Sequence, residues 1–148
     1  MPRMIFVNLP VTDLERSIHF YEAIGGRKES KFSNDAAAMI VLSDSIHMML
    51  LTHPFYSSFT AKPIADAHRT SQVILCLSAD SRESVDATVE RAVSAGGTAD
   101  PAAKQDYGVM YGRSVADPDG HIFEIMWMDP AAAQRGAEAV QEALGTAI

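Results

Sequence analysis

Near the end of the chain, the stretch DPDGHIFEIMWMD, Asp117 to Asp129, sets a tight polar turn in front of a strand carrying one carboxylate, Glu124, among apolar residues. Aspartate bonds its own backbone, proline fixes φ and glycine tolerates positive φ, so each suits a reversal for its own reason. In the strand that follows, alternation puts Ile122, Glu124, Met126 and Met128 on one face and Phe123, Ile125 and Trp127 on the other. An unpaired buried carboxylate is expensive, so Glu124 is a candidate for chemistry. It can ligate a divalent cation, accept a proton from an acidic C–H or O–H, or hold the charge of a ligand. The competing reading is a glutamate that bonds only to a neighbouring strand or to water.

Few other side chains compete with it. The single cysteine, Cys76, excludes a disulfide framework within one chain, and its place in the apolar run VILCL reads as a small buried hydrophobe. His19, His53 and His68 fall on a helix and in a polar connection, where solvated side chains are expected. His121 follows the turn and alternates away from Glu124, as a hydrogen-bonding residue of the turn would.

The chain has 148 residues, of which 47% are hydrophobic, enough to bury one compact core and too few for two large domains. A formal net charge of -7, with twelve scattered Lys and Arg, argues against a nucleic-acid footprint. No apolar stretch approaches the roughly 18 residues a membrane span needs, and MPRMIFVNLP lacks a signal peptide's apolar region, so a cytoplasmic location is expected.

The elements that must position Glu124 come twice in the same order. MIFVNLPV reads as a strand and TDLERSIHFYEAIGG as a helix capped by Thr12 or Asp13, with Leu14, Ile18 and Tyr21 at helical spacing and an exit at Gly25-Gly26. Strands are expected over Arg27–Phe32, Ala37–Leu42 and Ile46–Thr52. SQVILCLSA then reads as a strand, and DSRESVDATVERAVSAGG as a helix with Val85, Val89, Ala92 and Val93 on one face and an exit at Gly96-Gly97. A short strand near Thr98, one within Tyr107–Val115 and the last over His121–Met128 complete the unit. This is an α+β repeat of two βαβββ modules, about 1–53 and 72–129, with a linker over about 54–71 and an alanine-rich tail helix over about 130–148.

FVNLPVTDLERSIHFYEAIGG and GRSVADPDGHIFEIMWMD resemble the opening and closing signatures of the vicinal oxygen chelate superfamily, which contains glyoxalase I, extradiol dioxygenases and the bleomycin and fosfomycin resistance proteins. The resemblance runs from about Met4 to Met128. It implies mixed sheets curled into a cup, a ligand inside, a divalent metal such as zinc, nickel, iron or manganese, and a homodimer. It also places Glu124 inside the cup as a metal ligand. The other ligand positions it implies fall on Phe6, Met49 and Ile74, two hydrocarbons and a thioether that suit no hard or borderline ion. Asn8, His47 and Gln72 lie one pleat away, so Glu124 with His47, supported by Asn8 and Gln72, is the reduced metal set that stays open.

Pro10 stands where lactoylglutathione lyases carry an arginine for the glutathione carboxylate, so that activity is expected to be absent. In QDYGVMYGRS, Tyr107, Tyr111 and Arg113 are placed at the rim of the cup, or equally in packing and dimer contacts. Met49, Met126 and the other strand methionines suit an adaptable lining. Two functions remain. One is a binding protein that holds a small aromatic or cationic molecule with no cofactor. The other is a lyase, isomerase or dioxygenase of the superfamily that uses Glu124 as ligand or base.

Overall fold

The computed structural model describes residues 2–145; Met1 and residues 146–148, the end of the expected tail helix, lie outside the described residues. Strand β1 (Ile5–Val11) leads into helix α1 (Leu14–Ala23), followed by β2 (Arg27–Glu29), β3 (Ala37–Val41) and β4 (Ile46–Thr52). The linker holds one short helical turn, α2 (His53–Tyr56). Then come β5 (Ile74–Ser78), α3 (Arg82–Ser94), β6 (Thr98–Ala99), β7 (Gln105–Asp106), β8 (Met110–Ala116) and β9 (Ile122–Met128). Two short helices, α4 (Pro130–Arg135) and α5 (Ala137–Leu144), stand where one tail helix was expected, because Gly136 at φ 68 breaks the run.

The modules form two separate mixed sheets with matching order, β1-β4-β3-β2 and β5-β9-β8-β6, with β7 beside β8. In each, the first and last strands pair in parallel and the others antiparallel. No ladder among the described residues joins β1 to β5. The long helix of each module, α1 and α3, begins at a side-chain cap, Asp13 bonding the Arg16 N–H at 3.1 Å and Ser81 the Ser84 N–H at 3.0 Å. Each ends at a double glycine whose two members serve different needs. Gly25 and Gly96 take φ values of +107 and +99, while a Cβ on Gly26 would strike Ile40 and one on Gly97 would lie 2.6 Å from the Phe20 ring.

The core gathers on α1. Phe20 and Tyr21 are fully buried and pack with Leu9, Val11, Ile40 and Leu50 of the first sheet and with Val115 and Phe123 of the second. Burying each such ring contributes about 2–3 kcal/mol. The Tyr21 ring meets Phe123 edge-on at 5.6 Å, and its hydroxyl donates to Asp117 Oδ2 at 2.6 Å. The DPDG turn is thereby tied to the first module: Thr12 donates to Asp119 through its N–H at 3.1 Å and its hydroxyl at 2.6 Å, and the His121 ring reaches Pro10 O at 2.9 Å. His121 does bond at the turn as expected, and its ring also joins the two modules.

Four sequence expectations shift. The strand expected over Arg27–Phe32 stops at Glu29, where a 3-10 turn over Ser30–Phe32 takes over and the Ser33 hydroxyl donates to Glu29 O at 2.7 Å. The α3 core face is Val85, Thr88, Val89 and Ala92, while Val93 is exposed on the neighbouring stripe. Strand β5 begins at Ile74, which leaves Gln72 exposed in the preceding bend. Cys76 is exposed rather than buried, because Leu75 and Leu77 take the core face of β5. No described helix is long and apolar enough to cross a membrane.

Candidate functional site

Helices cover one face of each sheet and leave the other open. In β9, Phe123 and Ile125 are buried under the helices, so the pleat turns Ile122, Glu124 and Met126 to the open side. The register places Cys76 of β5 on one flank of Glu124 and Ser114 of β8 on the other. Ser114 is occupied in holding the Ala102 N–H at 3.1 Å. Among the strand residues of this face Glu124 carries the one charge, and among the described residues its carboxylate has no hydrogen-bond or ion-pair partner; it is half-buried. Although Cys76 is exposed as a residue, partial desolvation of its sulfur, followed by the Glu124 charge, pushes the thiol up from its ordinary value and disfavours the thiolate. Sequence reasoning missed Cys76, although alternation with Leu75 and Leu77 was visible.

The first sheet offers a matching open face. Leu9, Met48 and Leu50 point into the core, so Phe6, Asn8, His47 and Met49 lie opposite. The Phe6 ring stacks on His47 with centroids 4.6 Å apart and 17° between planes. Beneath it His47 is 6% exposed, and its Nδ1 has no hydrogen-bond partner. Asn8 is exposed and Met49 half-buried beside it. The charges on this face close on each other: Arg27 donates to Glu29 Oε2 at 2.8 Å, which lowers the Glu29 carboxyl below its usual range.

Tyr111 and Arg113 are not at the rim of this region. They lie on the helix-covered face of the second sheet, because Arg113 pairs in register with buried Ile125. Arg113 grips Asp100 with two bonds of 3.0 and 2.7 Å and reaches Asp86 of α3 at 3.0 Å. The Tyr111 hydroxyl donates to the same Asp86 at 2.6 Å, and the Arg82 guanidinium sits 4.5 Å over the Tyr111 ring. Tyr107 occupies the turn between β7 and β8, where its N–H donates to Met110 O at 2.9 Å. Of the residues predicted from sequence, the structure thus brings Glu124 and Met126 together on one open face and Phe6, Asn8, His47 and Met49 on the other. It sets Tyr111 and Arg113 on the covered face instead, while Gln72 lies before β5 and Tyr107 in the β7–β8 turn, outside the strands.

The metal implied by the resemblance does not fit these residues. Phe6 and Ile74 offer no donor atom, Met49 offers a thioether, and His47 lies under the Phe6 ring. Among the described residues no three His, Cys, Asp or Glu side chains come close enough to hold an ion. A tight site wants at least three good protein ligands.

The family model described as Glyoxalase/Bleomycin resistance protein/Dioxygenase superfamily matches residues 3–125. The chain belongs to this superfamily. Solved structures agree on the fold. A hypothetical protein from S. aureus is 24% identical with a TM-score of 0.72, over 86% of this chain and 95% of that one. A glyoxalase-related enzyme from Fulvimarina pelagi is 26% identical with a TM-score of 0.70, over 86% and 88%. A bleomycin resistance determinant encoded on the transposon Tn5 is 18% identical with a TM-score of 0.59, over 86% and 99%. No curated protein matches the chain. This superfamily member therefore keeps the scaffold and the closing-strand glutamate while filling the other implied ligand positions with apolar side chains.

Proposed function

We propose that the protein binds a small organic molecule on the open face around Glu124, without a resident metal, and is not a lactoylglutathione lyase. The observation that carries this reading is the half-buried, unpartnered carboxylate set among Ile122, Met126 and Ile74. A molecule with a flat or apolar body and a cationic or N–H-donating group would cover the methionines and satisfy the carboxylate in one step. The protonated Cys76 beside it adds a soft, uncharged contact.

The ligand needs more walls than one sheet face provides, and a second copy of the chain is the reading we favour for supplying them. Ile5, Phe6, Val73 and Ile74 are all exposed along the free edge strands β1 and β5, and free apolar edges call for protection. Sedimentation should give a homodimer at micromolar concentration; a strict monomer there refutes the pairing.

The deciding experiment compares the protein with Glu124→Gln, which keeps shape and removes charge. Calorimetric titration with a panel of aromatic cations should show saturable binding that the variant weakens about tenfold or more, equivalent to about 1.4 kcal/mol. Protein purified without added metal should carry none in stoichiometric amount by elemental analysis. Binding unaffected by the substitution, or a metal lost with it, overturns the proposal. Turnover of the bound molecule would instead make Glu124 a general base.

A further inference from the structure

Away from both open faces, a cavity of about 340 Å³ lies beneath the linker, at the seam between the modules. Its size is within the range of small-molecule sites, which favour such junctions. Three of the five histidines of the chain line it, His53 from the start of α2, His68 from the linker and His121 from the turn, together with Asp66 and Asp119. The roof is fixed by contact: a Cβ on Gly120 would lie 2.7 Å from both Ala67 C and His68 N, so the linker backbone rests directly on the turn.

We propose that this cavity is a second binding site, for a small organic cation carrying several N–H donors, such as a short-chain amine or guanidine. Its lining carries two carboxylates, Asp66 and Asp119, beside the three imidazoles. Pro10 O can only accept, so the His121 Nε2 that meets it at 2.9 Å carries the hydrogen. One oxygen of Asp66 accepts the His68 N–H at 3.0 Å and the other is free. The Thr12 hydroxyl is already spent on Asp119. Among the described residues no lysine or arginine lines the cavity; Arg16 meets it from the side, donating to Thr12 Oγ1 at 3.0 Å and lying 3.9 Å from Asp119. These acceptors are too dispersed to share one metal ion, whereas a polyatomic ligand can meet them at separate points while Pro10 and the neighbouring Ile64 flank its carbon chain.

The test is a titration of the full chain with agmatine, followed by the imidazole C–H resonances of all five histidines. We expect saturable shifts at His53, His68 and His121 and none at His19 and His47. Asp66→Asn, which keeps an acceptor for the His68 N–H while removing the charge, should weaken binding about tenfold. Gly120→Ala, which pushes the linker off the turn, should weaken it as well; if that variant fails to fold, Asp66→Asn decides. Glu124→Gln should leave the agmatine-induced shifts at His53, His68 and His121 unchanged, which separates this site from the open face. The proposal is overturned by absent or non-saturable shifts, by equal binding of the anion butyrate, by an Asp66→Asn variant of undiminished affinity, or by loss of the His53, His68 and His121 shifts in Glu124→Gln.

Discussion

The two faces of the second sheet treat charge in opposite ways. On the helix-covered side, Arg113 lies between Asp100 and Asp86, Tyr111 shares Asp86, and Arg82 holds Asp106 through two bonds while capping the Tyr111 ring. Every one of those ions has a partner. One pleat away, on the open side, Glu124 has none among the described residues. Both faces come from the same two strands, β8 and β9, so composition does not explain the contrast. A charge that stabilises a fold is paired within it, and a charge left half-buried and unpaired is available to something outside the chain.

Breaking the covered side should produce the largest effect. The Arg113 side chain is 10% exposed, and its removal strands two carboxylates. Arg113→Ala should cost about 2–3 kcal/mol in urea unfolding, less than for a fully buried pair because Asp86 and Asp100 keep some water. It should leave Glu124-dependent binding in place. The same cluster sets the acid response. Asp100 is held below the usual carboxylate range chiefly by Arg113, and Asp86 by the Tyr111 hydroxyl and then Arg113. A lowered folded value means that the stabilisation is present above the unfolded value and is lost as pH falls through the folded one. Stability should therefore drop below about pH 4, and the drop should be shallower in Arg113→Gln. Asp117 works in the opposite sense and at higher pH: burial raises it, so its contribution is fully present below the unfolded value and is lost as pH rises through the raised folded one. An acid limb as steep in Arg113→Gln as in the natural chain would break the link between pairing and stability.

Next in size is the open side, where the same kind of substitution should behave differently. Glu124→Gln removes a charge that no side chain neutralises, so unfolding should move by less than about 0.5 kcal/mol while ligand affinity falls about tenfold. A clearly destabilised variant with unchanged affinity would erase the contrast between the faces and make Glu124 a structural support.

Part of this arrangement was legible in the sequence. The double glycines, the caps and the DPDG turn fixed both modules, and β4 falls on the expected Ile46–Thr52. The outward direction of Glu124 followed from the bulky residues Phe123, Ile125 and Trp127 alternating with it. In β8 the sequence left the choice between rim and packing open, because Met110, Gly112 and Ser114 alternate with Tyr111, Arg113 and Val115 and neither set is plainly apolar. Its phase is decided across the hairpin, by Ser114 pairing with Glu124 and Arg113 with Ile125, and could have been counted back from the turn. Cys76 was misread because a run of apolar residues suggests burial on both faces, whereas β5 is an edge strand with one face uncovered. The Phe6 stack on His47 needed the parallel register of β1 with β4, which no local pattern encodes.

The smallest expected effect on stability is also the sharpest probe of the open face. Gly112 lies in β8 directly across from Met126, and a Cβ there would sit 2.9 Å from Met126 Cε and 3.4 Å from its sulfur. The nearest backbone atom, Ile125 O, is at an ordinary 3.5 Å, so the thioether end alone has to give way. Gly112 does not sit at positive φ, and replacing a strand glycine lowers the entropy of the unfolded chain by an amount worth about 0.4–1 kcal/mol. The modest cost of moving a flexible methionine should nearly cancel that gain, leaving Gly112→Ala within about 0.5 kcal/mol of the natural chain in urea unfolding. The displaced Met126 side chain lies two residues along β9 from Glu124, on the same face, so ligand affinity should change measurably although stability does not. An unfolding midpoint shifted well beyond that margin would mean that Met126 is locked in packing rather than free to adapt to a ligand. Unchanged stability with unchanged affinity would place the ligand away from Met126.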